Sequence, residues 1–299
     1  MKPLDELSLG WRTDLIFPRF DAQVIERPGY LLVRTPHNPN FWWGNFLLFD
    51  HPPAEGEATQ WLALFQAEIA APQPESRHIA FGVDAQQPFE MPTDLLRAGF
   101  TRHSGTVLTM RREALRVPNV ALAPGFRFAP LALPAQAGAA VEQQVAADAG
   151  EHLPVAGYRL VRARQMQRYG AMDRAGLGHW FGIFARAGDC GDGGDSGDGA
   201  DGDDSEQLVA DCGLFRDGSG ASALGRFQSV STHPAWRRRG LCRALIHAVC
   251  RHGFEVMGLQ TLVIVADPDD VAIGLYESVG FARGASTWLL ERRPDVASN

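Results

Sequence analysis

Three arginines and a glycine, Arg237-Arg238-Arg239-Gly240, form the segment of this sequence best suited to bind an anion. They follow a predicted strand, residues 227–232, and precede a segment with helical apolar spacing. The first N–H groups of a helix have no intrahelical acceptor and lie at the positive end of its dipole. A glycine there lets an anion approach the main chain closely, and the arginines attract it over a longer range. The spacing therefore predicts a loop that can hold a pyrophosphate.

Regular elements on both sides must position this loop. Residues 227–232 predict a strand that ends before Pro234, and apolar residues from Leu241 onward predict a helix over 241–254. Residues 261–266 are continuously apolar and β-branched, which predicts a neighbouring strand. That strand leads through an acidic turn, 267–270, into a second helix that ends near Gly280.

These two segments resemble motifs A and B of the GNAT acetyltransferase superfamily. Motif A, Arg/Gln-x-x-Gly-x-Gly/Ala, binds the acyl-CoA pyrophosphate in that family, and here it reads Arg237-x-x-Gly240-x-Cys242, with cysteine at the last position. Motif B, Asn-x-x-Ala-x-x-Leu-Tyr-x-x-x-Gly-Phe, corresponds to Asp269, Ala272, Leu275, Tyr276, Gly280 and Phe281, with Asp in place of Asn. The resemblance covers about residues 125–293.

The resemblance implies an α/β fold with a mixed α+β sheet, in which the strands before motifs A and B splay apart to admit the pantetheine of acetyl-CoA. It implies Tyr276 as the general acid toward the CoA thiolate, and a strand amide near Val230 that polarises the thioester carbonyl. The residues that it places at the cofactor are Ser229, Val230, Ser231, Thr232, Arg237, Arg238, Arg239, Gly240, Leu241, Cys242, Arg243, Asp269 and Tyr276.

The general base stays open at this point. Gln228 stands where many relatives carry Glu, and an amide does not accept a proton usefully at neutral pH. A water chain, His179 or His233 are the alternatives. Asp269 has a second interpretation, because a carboxylate before residue 271 is also typical of a helix N-cap.

An internal repeat places a second domain of the same kind in the first half. The order strand, helix, Gly-Phe, strand occurs at residues 77–112 and again at 261–293, and further strands are predicted at 30–35 and 41–49 with a helix at 61–69. We expect two tandem acetyltransferase-like domains, each a mostly antiparallel mixed sheet flanked by helices. The first, 1–117, is degenerate: its turn, residues 50–57, has two prolines, several acids and no arginine. The second, 124–299, is expected to bind acyl-CoA.

Charge and composition limit the remaining function classes. The net charge is −7, but eight of the acids lie within residues 187–206. This Gly/Asp/Ser segment is predicted to be a solvated, disordered loop. Weak cation binding, or attraction of a cationic substrate, is the alternative interpretation of the segment. The four cysteines lack metal-ligand spacing, which predicts free thiols and no metal. No apolar run is long enough for a membrane span and no signal peptide is evident, so we expect a cytoplasmic protein.

Two clusters have competing interpretations. The aromatic run Phe41-Trp42-Trp43 is typical of core strand residues, although it could line a cleft between domains. Arg162, Arg164 and Arg168 lie on a predicted helix and indicate a solvated face, with an acidic substrate or nucleic acid as the alternative.

The sequence thus predicts an acyl-CoA-dependent N-acyltransferase that moves an acetyl group from acetyl-CoA directly to a primary amine of a small molecule or peptide. We expect a monomer or homodimer that binds neither nucleic acid nor membrane. One alternative is an acyl-CoA-binding sensor or scaffold without turnover. Another is a nucleic-acid-binding protein that uses the Arg237–Arg239 cluster, for which binding must depend on salt.

Overall fold

One continuous sheet of eleven strands runs through the computed structural model, which describes residues 1–117, 122–147, 155–186, 206–217 and 224–293. The strands are β1 (Gln23–Arg27), β2 (Tyr30–Arg34), β3 (Phe46–Phe49), β4 (Ile79–Val83), β5 (Thr101–Arg111), β6 (Phe126–Pro130), β7 (Gly178–Arg186), β8 (Glu206–Arg216), β9 (Leu224–Thr232), β10 (Thr261–Ala266) and β11 (Ala282–Arg292). The helices are α1 (Leu9–Asp14), α2 (Pro18–Asp21), α3 (Ala58–Phe65) with a π-helical continuation (Gln66–Ala70), α4 (Thr93–Arg97), α5 (Ala137–Ala147), α6 (Val155–Arg174), α7 (Leu241–Glu255) and α8 (Ala272–Val279).

The spatial order of the strands is β1-β2-β3-β4-β11-β5-β10-β9-β8-β7-β6. Only the β3–β4 and β9–β10 pairs are parallel among these neighbours, and the other pairs are antiparallel. The predicted fold class, mostly antiparallel mixed sheet flanked by helices, is confirmed. The two expected sheets, however, are joined edge to edge into one.

The join is made by an exchange of strands at the middle of the molecule. β5 of the first half pairs with β10 of the second half, and β11, the last strand of the second half, lies between β4 and β5. Each half therefore supplies one strand to the sheet of the other. Local periodicity predicts these strands but contains no information about which distant strand each one pairs with.

Helices cover both faces of the sheet in each half. In the second half, α7 and α8 pack on one face through residues such as Leu245 and Val249, and α5 and α6 pack on the other through residues such as Met166 and Tyr169. In the first half, α3 and α4 cover one face, and α1 lies on the other with Trp11 buried against β2, β3 and β4. Among the described residues, no helix is both long and apolar enough to cross a membrane.

The segment before β3 departs from the sequence prediction. A strand was expected over 41–49, but residues 42–44 form a 3-10 turn and the strand begins at Phe46. The buried side chain of Asn45 explains the difference, because its amide donates to the carbonyls of Asn38 and Phe41 while its oxygen accepts from the N–H of Thr35. These bonds fold the chain into a compact loop and stop the ladder. The N-terminal elements α1, α2 and β1 were not predicted.

Some expectations fall outside the part of the chain that the structure describes. These are the acidic loop up to residue 205, including Cys190, and residues 118–121 of the predicted boundary between the halves. The three described cysteines, Cys212, Cys242 and Cys250, are free thiols.

Candidate active site

Strands β9 and β10 separate after a short paired stretch and leave a slot in the sheet. Their parallel pairing extends only from Leu224↔Thr261 to Arg226↔Val263. Beyond that point β9 stays paired with β8, and β10 stays paired with β5. Residues 227–232 and 264–266 therefore face each other across an opening with unpaired backbone edges, as the family resemblance implied.

A β-bulge lies beside this slot. On β8, Gly213 pairs with Gln228 and Asp211 pairs with Ser231, so Ser229 and Val230 have no register partner there. Ser229 has φ 41°, in the left-handed region that residues other than glycine seldom adopt. The bulge turns the backbone of Ser229 and Val230 out of the regular ladder at the point where the resemblance places the thioester carbonyl.

The slot leads to the basic turn and the start of α7. A 3-10 turn, Pro234–Trp236, follows β9, and Gly240 at the N-cap of α7 has φ 78°. A Cβ at Gly240 would have no heavy atom within 4 Å, so the space in front of the helix is open. Gly240, the N-cap residue, has no side chain that could cap the helix. The first N–H groups of the helix thus face an unobstructed region beside exposed arginines.

The arginines of this turn have different environments. Arg237 donates from Nε to the carbonyl of Thr232 at 3.2 Å and from Nη2 to the carbonyl of Ala147 at 2.8 Å, so it ties the turn to the end of α5. Arg239 lies over the ring of Trp236, with 4.7 Å from Cζ to the ring centroid. Arg238 and Arg243 are exposed, and Arg238 has φ 64°. The contacts of Arg237 position the turn, whereas Arg238 and Arg243 extend into solvent beside the helix start.

Tyr276 lies on the face of the sheet covered by α7 and α8. It is 5% exposed, and burial raises its pKa, so the phenol is protonated at neutral pH. Burial also raises the pKa of Cys242 to about 11, which keeps this neighbouring thiol neutral. In the turn before α8, Asp270 rather than Asp269 accepts from the N–H of Ala272, so the helix-start contact expected of Asp269 belongs to Asp270. Asp269 is exposed.

A cavity of about 280 Å³ opens on the opposite face, where α6 crosses β9. It is walled by α1, α2, the segment before β3, α6 and strands β9, β10 and β11. Gln228 and Ser229 form the part of the wall next to the bulge. An adjoining cavity of about 450 Å³ shares Phe41, Trp43 and Arg162 with it. Tyr276 lines neither cavity. Gln228 and Ser229 thus line the cavity on the α6 face, whereas Tyr276 lies on the α7–α8 face of the sheet.

Two expectations about this region were wrong. Phe41, Trp42 and Trp43 are half-buried and line the cavities, whereas core strand residues were expected. The arginines of α6 do not form a solvated face, because Arg168 is 5% exposed and pairs with Asp21 at 2.6 Å. Arg162 also lines the cavity, where its Nη1 donates to Ser229 Oγ at 3.1 Å.

The corresponding region of the first half is closed. β3 and β4 are paired from Leu47↔Phe81 to Phe49↔Val83, and the N–H of Asp84 continues the contact by donating to Phe49 at 2.8 Å. The start of α3 is occupied by Asp94, whose Oδ2 accepts from the N–H groups of Gly56 and Ala58 at 3.0 Å each. A carboxylate of the chain therefore takes the position that an anion would need.

Residues 199–281 match the sequence model of the acetyltransferase (GNAT) family. The second half of the chain carries a GNAT-family domain.

Solved structures extend the likeness over the whole chain. A functionally unknown conserved protein from Staphylococcus epidermidis ATCC 12228 has a TM-score of 0.66 at 13% identity, covering 92% of this chain and 95% of its own. A GCN5-related N-acetyltransferase from Kribbella flavida has a TM-score of 0.58 at 17% identity, and the match covers 93% of this chain and 92% of that protein. A tandem GNAT protein from the clavulanic acid biosynthesis pathway has a TM-score of 0.52 at 14% identity, and the match covers 99% of this chain and 94% of that protein. At these identities the likeness establishes the fold, including the tandem arrangement. No curated protein matches the chain in sequence.

The histidines proposed as bases do not lie in the described cavities of the GNAT domain. His179 contacts Asp173 at 3.1 Å, and neither cavity includes it. His233 accepts at Nδ1 from the N–H of Ala235 and lines neither cavity. Gln228 accepts from the hydroxyl of Tyr169 at 3.4 Å.

Sequence reasoning missed Asp211, a fully buried carboxylate on β8 of the GNAT domain. It accepts from Ser231 Oγ, from Trp180 Nε1 at 2.8 Å and from Gln144 Nε2 at 3.3 Å. Burial raises its pKa to about 6, against the effect of these hydrogen bonds. A single carboxylate within the apolar run 208–214 was the available signal.

Proposed function

We propose that this protein is an acyl-CoA-dependent N-acyltransferase that moves an acetyl group from acetyl-CoA directly to a primary amine of a small molecule or peptide. The observation that supports this most strongly is the separation of β9 from β10 after Arg226, which opens a slot toward an uncapped helix start. The proposal assigns the cofactor to the domain at 124–299 and none to the degenerate domain at 1–117.

In this proposal the backbone of residues 229–232 holds the pantetheine by strand-like hydrogen bonds. The N–H groups at the start of α7, from Gly240 to Arg243, together with the side chains of Arg238, Arg239 and Arg243, hold the pyrophosphate. Arg237 keeps the turn in place through its bonds to Thr232 and Ala147. Asp269 stands at the exposed turn beyond β10, on the other side of the opening.

The transfer needs four events at the bulge. The neutral amine attacks the thioester carbonyl carbon, and the N–H of Val230 stabilises the charge that develops on the carbonyl oxygen. The C–S bond then breaks, and the electron pair remains on the CoA sulfur. Tyr276 donates a hydrogen bond to that thiolate, for which a protonated phenol is required. The new amide nitrogen loses its extra proton.

Ser231 and Asp211 supply a route for this proton. Ser231 lies on β9 next to the bulge, and its hydroxyl is bonded to Asp211. With a pKa of about 6, Asp211 is mostly ionised at pH 7 and titrates in the range useful for a general base. We assign Ser231 the relay and Asp211 the proton acceptor, which gives the site the carboxylate that Gln228 does not provide.

The test measures CoA release from acetyl-CoA with a panel of primary amines, beside calorimetric binding of acetyl-CoA. Tyr276→Phe is expected to lower kcat about 100-fold, as for the loss of a general acid, while acetyl-CoA binds within a few-fold of the native affinity. Tyr30→Phe, which changes a buried tyrosine of the first half, is the matched control and keeps native turnover.

Two results would contradict the proposal. Failure of the folded chain to bind acetyl-CoA would remove the cofactor site. Binding without turnover on any amine would favour the sensor or scaffold alternative instead.

A further inference from the structure

Two aromatic side chains belong to both cavities on the α6 face. Phe41 and Trp43 line the cavity of about 280 Å³ and the adjoining one of about 450 Å³, and both residues are half-buried. The other aromatic residues in the described lining of the first cavity are between 2% and 4% exposed and belong to the core: Trp11, Phe17, Tyr169 and Phe227. Phe41 and Trp43 therefore offer the larger aromatic surfaces to a ligand.

Trp42, which lies between them in the chain, has a different environment. Its ring stacks on His78, with 5.6 Å between the ring centroids and 23° between the planes, and Cζ of Arg293 lies 5.6 Å from the same ring. Trp43 has a tilted contact with Phe46 at 5.9 Å between centroids. The protein thus stacks its own groups on Trp42, while the half-buried ring of Trp43 is turned to the junction of the cavities.

The loop between β2 and β3 holds these rings in place. The buried amide of Asn45 donates to the carbonyls of Asn38 and Phe41 at 2.9 and 2.8 Å. Nδ2 of Asn38 donates to the carbonyl of Val161 on α6 at 3.1 Å. A Cβ at Gly44 would lie 2.5 Å from Cδ1 of Phe41, so this glycine lets the ring lie against the main chain. Aromatic surface fixed in this way is preorganised for a ligand.

The same cavity reaches the β-bulge of the proposed transfer site. Gln228 and Ser229 line it together with Phe41 and Trp43, and the proposed function places the thioester carbonyl at this bulge. The volume of about 280 Å³ is near the lower end of the range for small-molecule sites. An amine at the bulge and a ring against the two aromatic side chains can therefore belong to one small acceptor. The adjoining cavity has room for substituents on that ring.

The buried charges at these cavities have partners within the protein. Three charged side chains in the described lining are buried, and each forms an ion pair: Arg226–Asp14 at 3.1 Å, Arg168–Asp21 at 2.6 Å and Glu291–Arg293 at 3.0 Å. A ligand group that separated such a pair would leave a buried charge without its partner, which is costly. We expect contact with the aromatic surfaces to supply most of the binding energy of the acceptor.

Resting on the proposed function, we infer that the acceptor is a primary amine that carries an aromatic group, bound against Phe41 and Trp43 with its nitrogen at the bulge. The nitrogen forms the new C–N bond, CoA leaves with the electron pair of the C–S bond, and the extra proton of the nitrogen passes to the base. Ring contacts add to the burial of apolar area, because aromatic rings attract one another in offset and edge-to-face arrangements.

The experiment compares three amines that differ only beyond the aminoethyl group, with CoA release measured at saturating acetyl-CoA. We expect kcat/KM for phenethylamine to exceed that for ethylamine at least about 30-fold, because the ring is removed from water. It should exceed that for cyclohexylethylamine at least about 3-fold, because the saturated ring has similar apolar bulk without the aromatic attraction.

A pair of variants assigns the preference to the wall between the cavities. Phe41→Leu is expected to lower kcat/KM for phenethylamine about 5- to 10-fold and to bring it close to that for cyclohexylethylamine. The values for ethylamine and the affinity for acetyl-CoA should change little. Phe89→Leu is the control, because Phe89 is a half-buried phenylalanine of the first half outside the described lining of both cavities, and it should keep the native preference.

Each contrary outcome has a distinct meaning. Turnover of amines without a preference for phenethylamine, or a preference that Phe41→Leu leaves unchanged, would overturn this inference and leave the proposed function intact. Binding of acetyl-CoA without turnover of any amine, or no binding of acetyl-CoA, would overturn the proposed function and this inference with it.

Discussion

The two halves of the chain repeat one strand–turn–helix unit, and they differ in what meets the start of the helix. In the first half, Asp94 accepts from the N–H groups of Gly56 and Ala58, and β3 stays paired with β4 to its last residue. In the second half, α7 begins at Gly240 without a side-chain cap, and β9 leaves β10 after Arg226. The same fold therefore contains a filled anion position and an open one.

This difference shows how a duplicated domain can keep its architecture and take another role. A carboxylate satisfies the helix start within the chain, so the first half needs no ligand there. The first half instead contributes Phe41, Trp43 and residues of α1 to the wall of the cavity on the α6 face. In the proposed reaction, the first half shapes that cavity and the second half binds the cofactor.

The largest expected effect concerns the open helix start. Arg238→Glu together with Arg243→Glu should weaken acetyl-CoA binding about 1000-fold, or about 4 kcal/mol, because two charge-assisted contacts are replaced by repulsion. Calorimetry measures the loss. Arg251→Glu is the control, since this exposed arginine lies near the other end of α7. Equal losses in both variants would mean that the helix start is not the anion site.

The second prediction concerns Asp211, the buried carboxylate on β8. Its counterpart in the first half, β2, carries no carboxylate. Burial raises the pKa of Asp211 from about 3.9 in the unfolded chain to about 6, so the folded state favours its neutral form. The stabilisation of the folded state by neutral Asp211 is fully present below pH 4. It is lost as the pH rises through 6, which lowers the free energy of unfolding by about 3 kcal/mol. Asp211→Asn lacks that loss.

Urea unfolding of the native chain and of this variant between pH 4 and pH 7 measures the difference. The free energies of unfolding should diverge as the pH rises, with the native chain losing more. Parallel curves would show that Asp211 titrates normally in the folded protein.

A smaller effect comes from removing the carboxylate of the closed half. Asp94→Ala should lower the free energy of unfolding by about 1–2 kcal/mol, the usual loss for a helix cap, and leave acetyl-CoA affinity unchanged. Glu90→Ala, an exposed acid in the loop before α4, serves as the control. Native stability in Asp94→Ala would contradict the role of this carboxylate at the start of α3.

The smallest effect concerns the wall that the first half supplies. Trp43→Ala should raise KM for the acceptor about 5- to 10-fold, or about 1 kcal/mol, because part of an aromatic contact is lost. The Kd for acetyl-CoA should not change. Loss of acetyl-CoA binding would place Trp43 at the cofactor instead. Steady-state kinetics with each substrate varied in turn separate the two cases.

The elements next to the motifs could be predicted from sequence because their signals are local. The apolar run of β10 gives the observed bounds, and the Gly240 turn and Leu241 mark the observed start of α7. The exchange of β5 and β11 could not be predicted, since both strands have the same local pattern whichever strand they join. Strand register depends on contacts between distant parts of the chain.

The cavity on the α6 face depends on such distant contacts as well. The sequence predicts a solvated helix face for Arg168, but the residue is buried and pairs with Asp21 of α2, from the N-terminal part of the chain. Asp211 is visible in the sequence as a lone acid in an apolar strand, but its bonds to Ser231 and Trp180 require the folded sheet. Residue types predict the proposed cofactor side, whereas tertiary packing forms the cavity on the α6 face.

The most direct test of the difference between the halves is the stoichiometry of acetyl-CoA binding to the full chain, measured by calorimetry. We predict one site per chain, removed by Arg238→Glu with Arg243→Glu and unaffected by Asp94→Ala. Two sites per chain, or a site that survives the double substitution, would contradict the assignment of an open anion position to the second half alone.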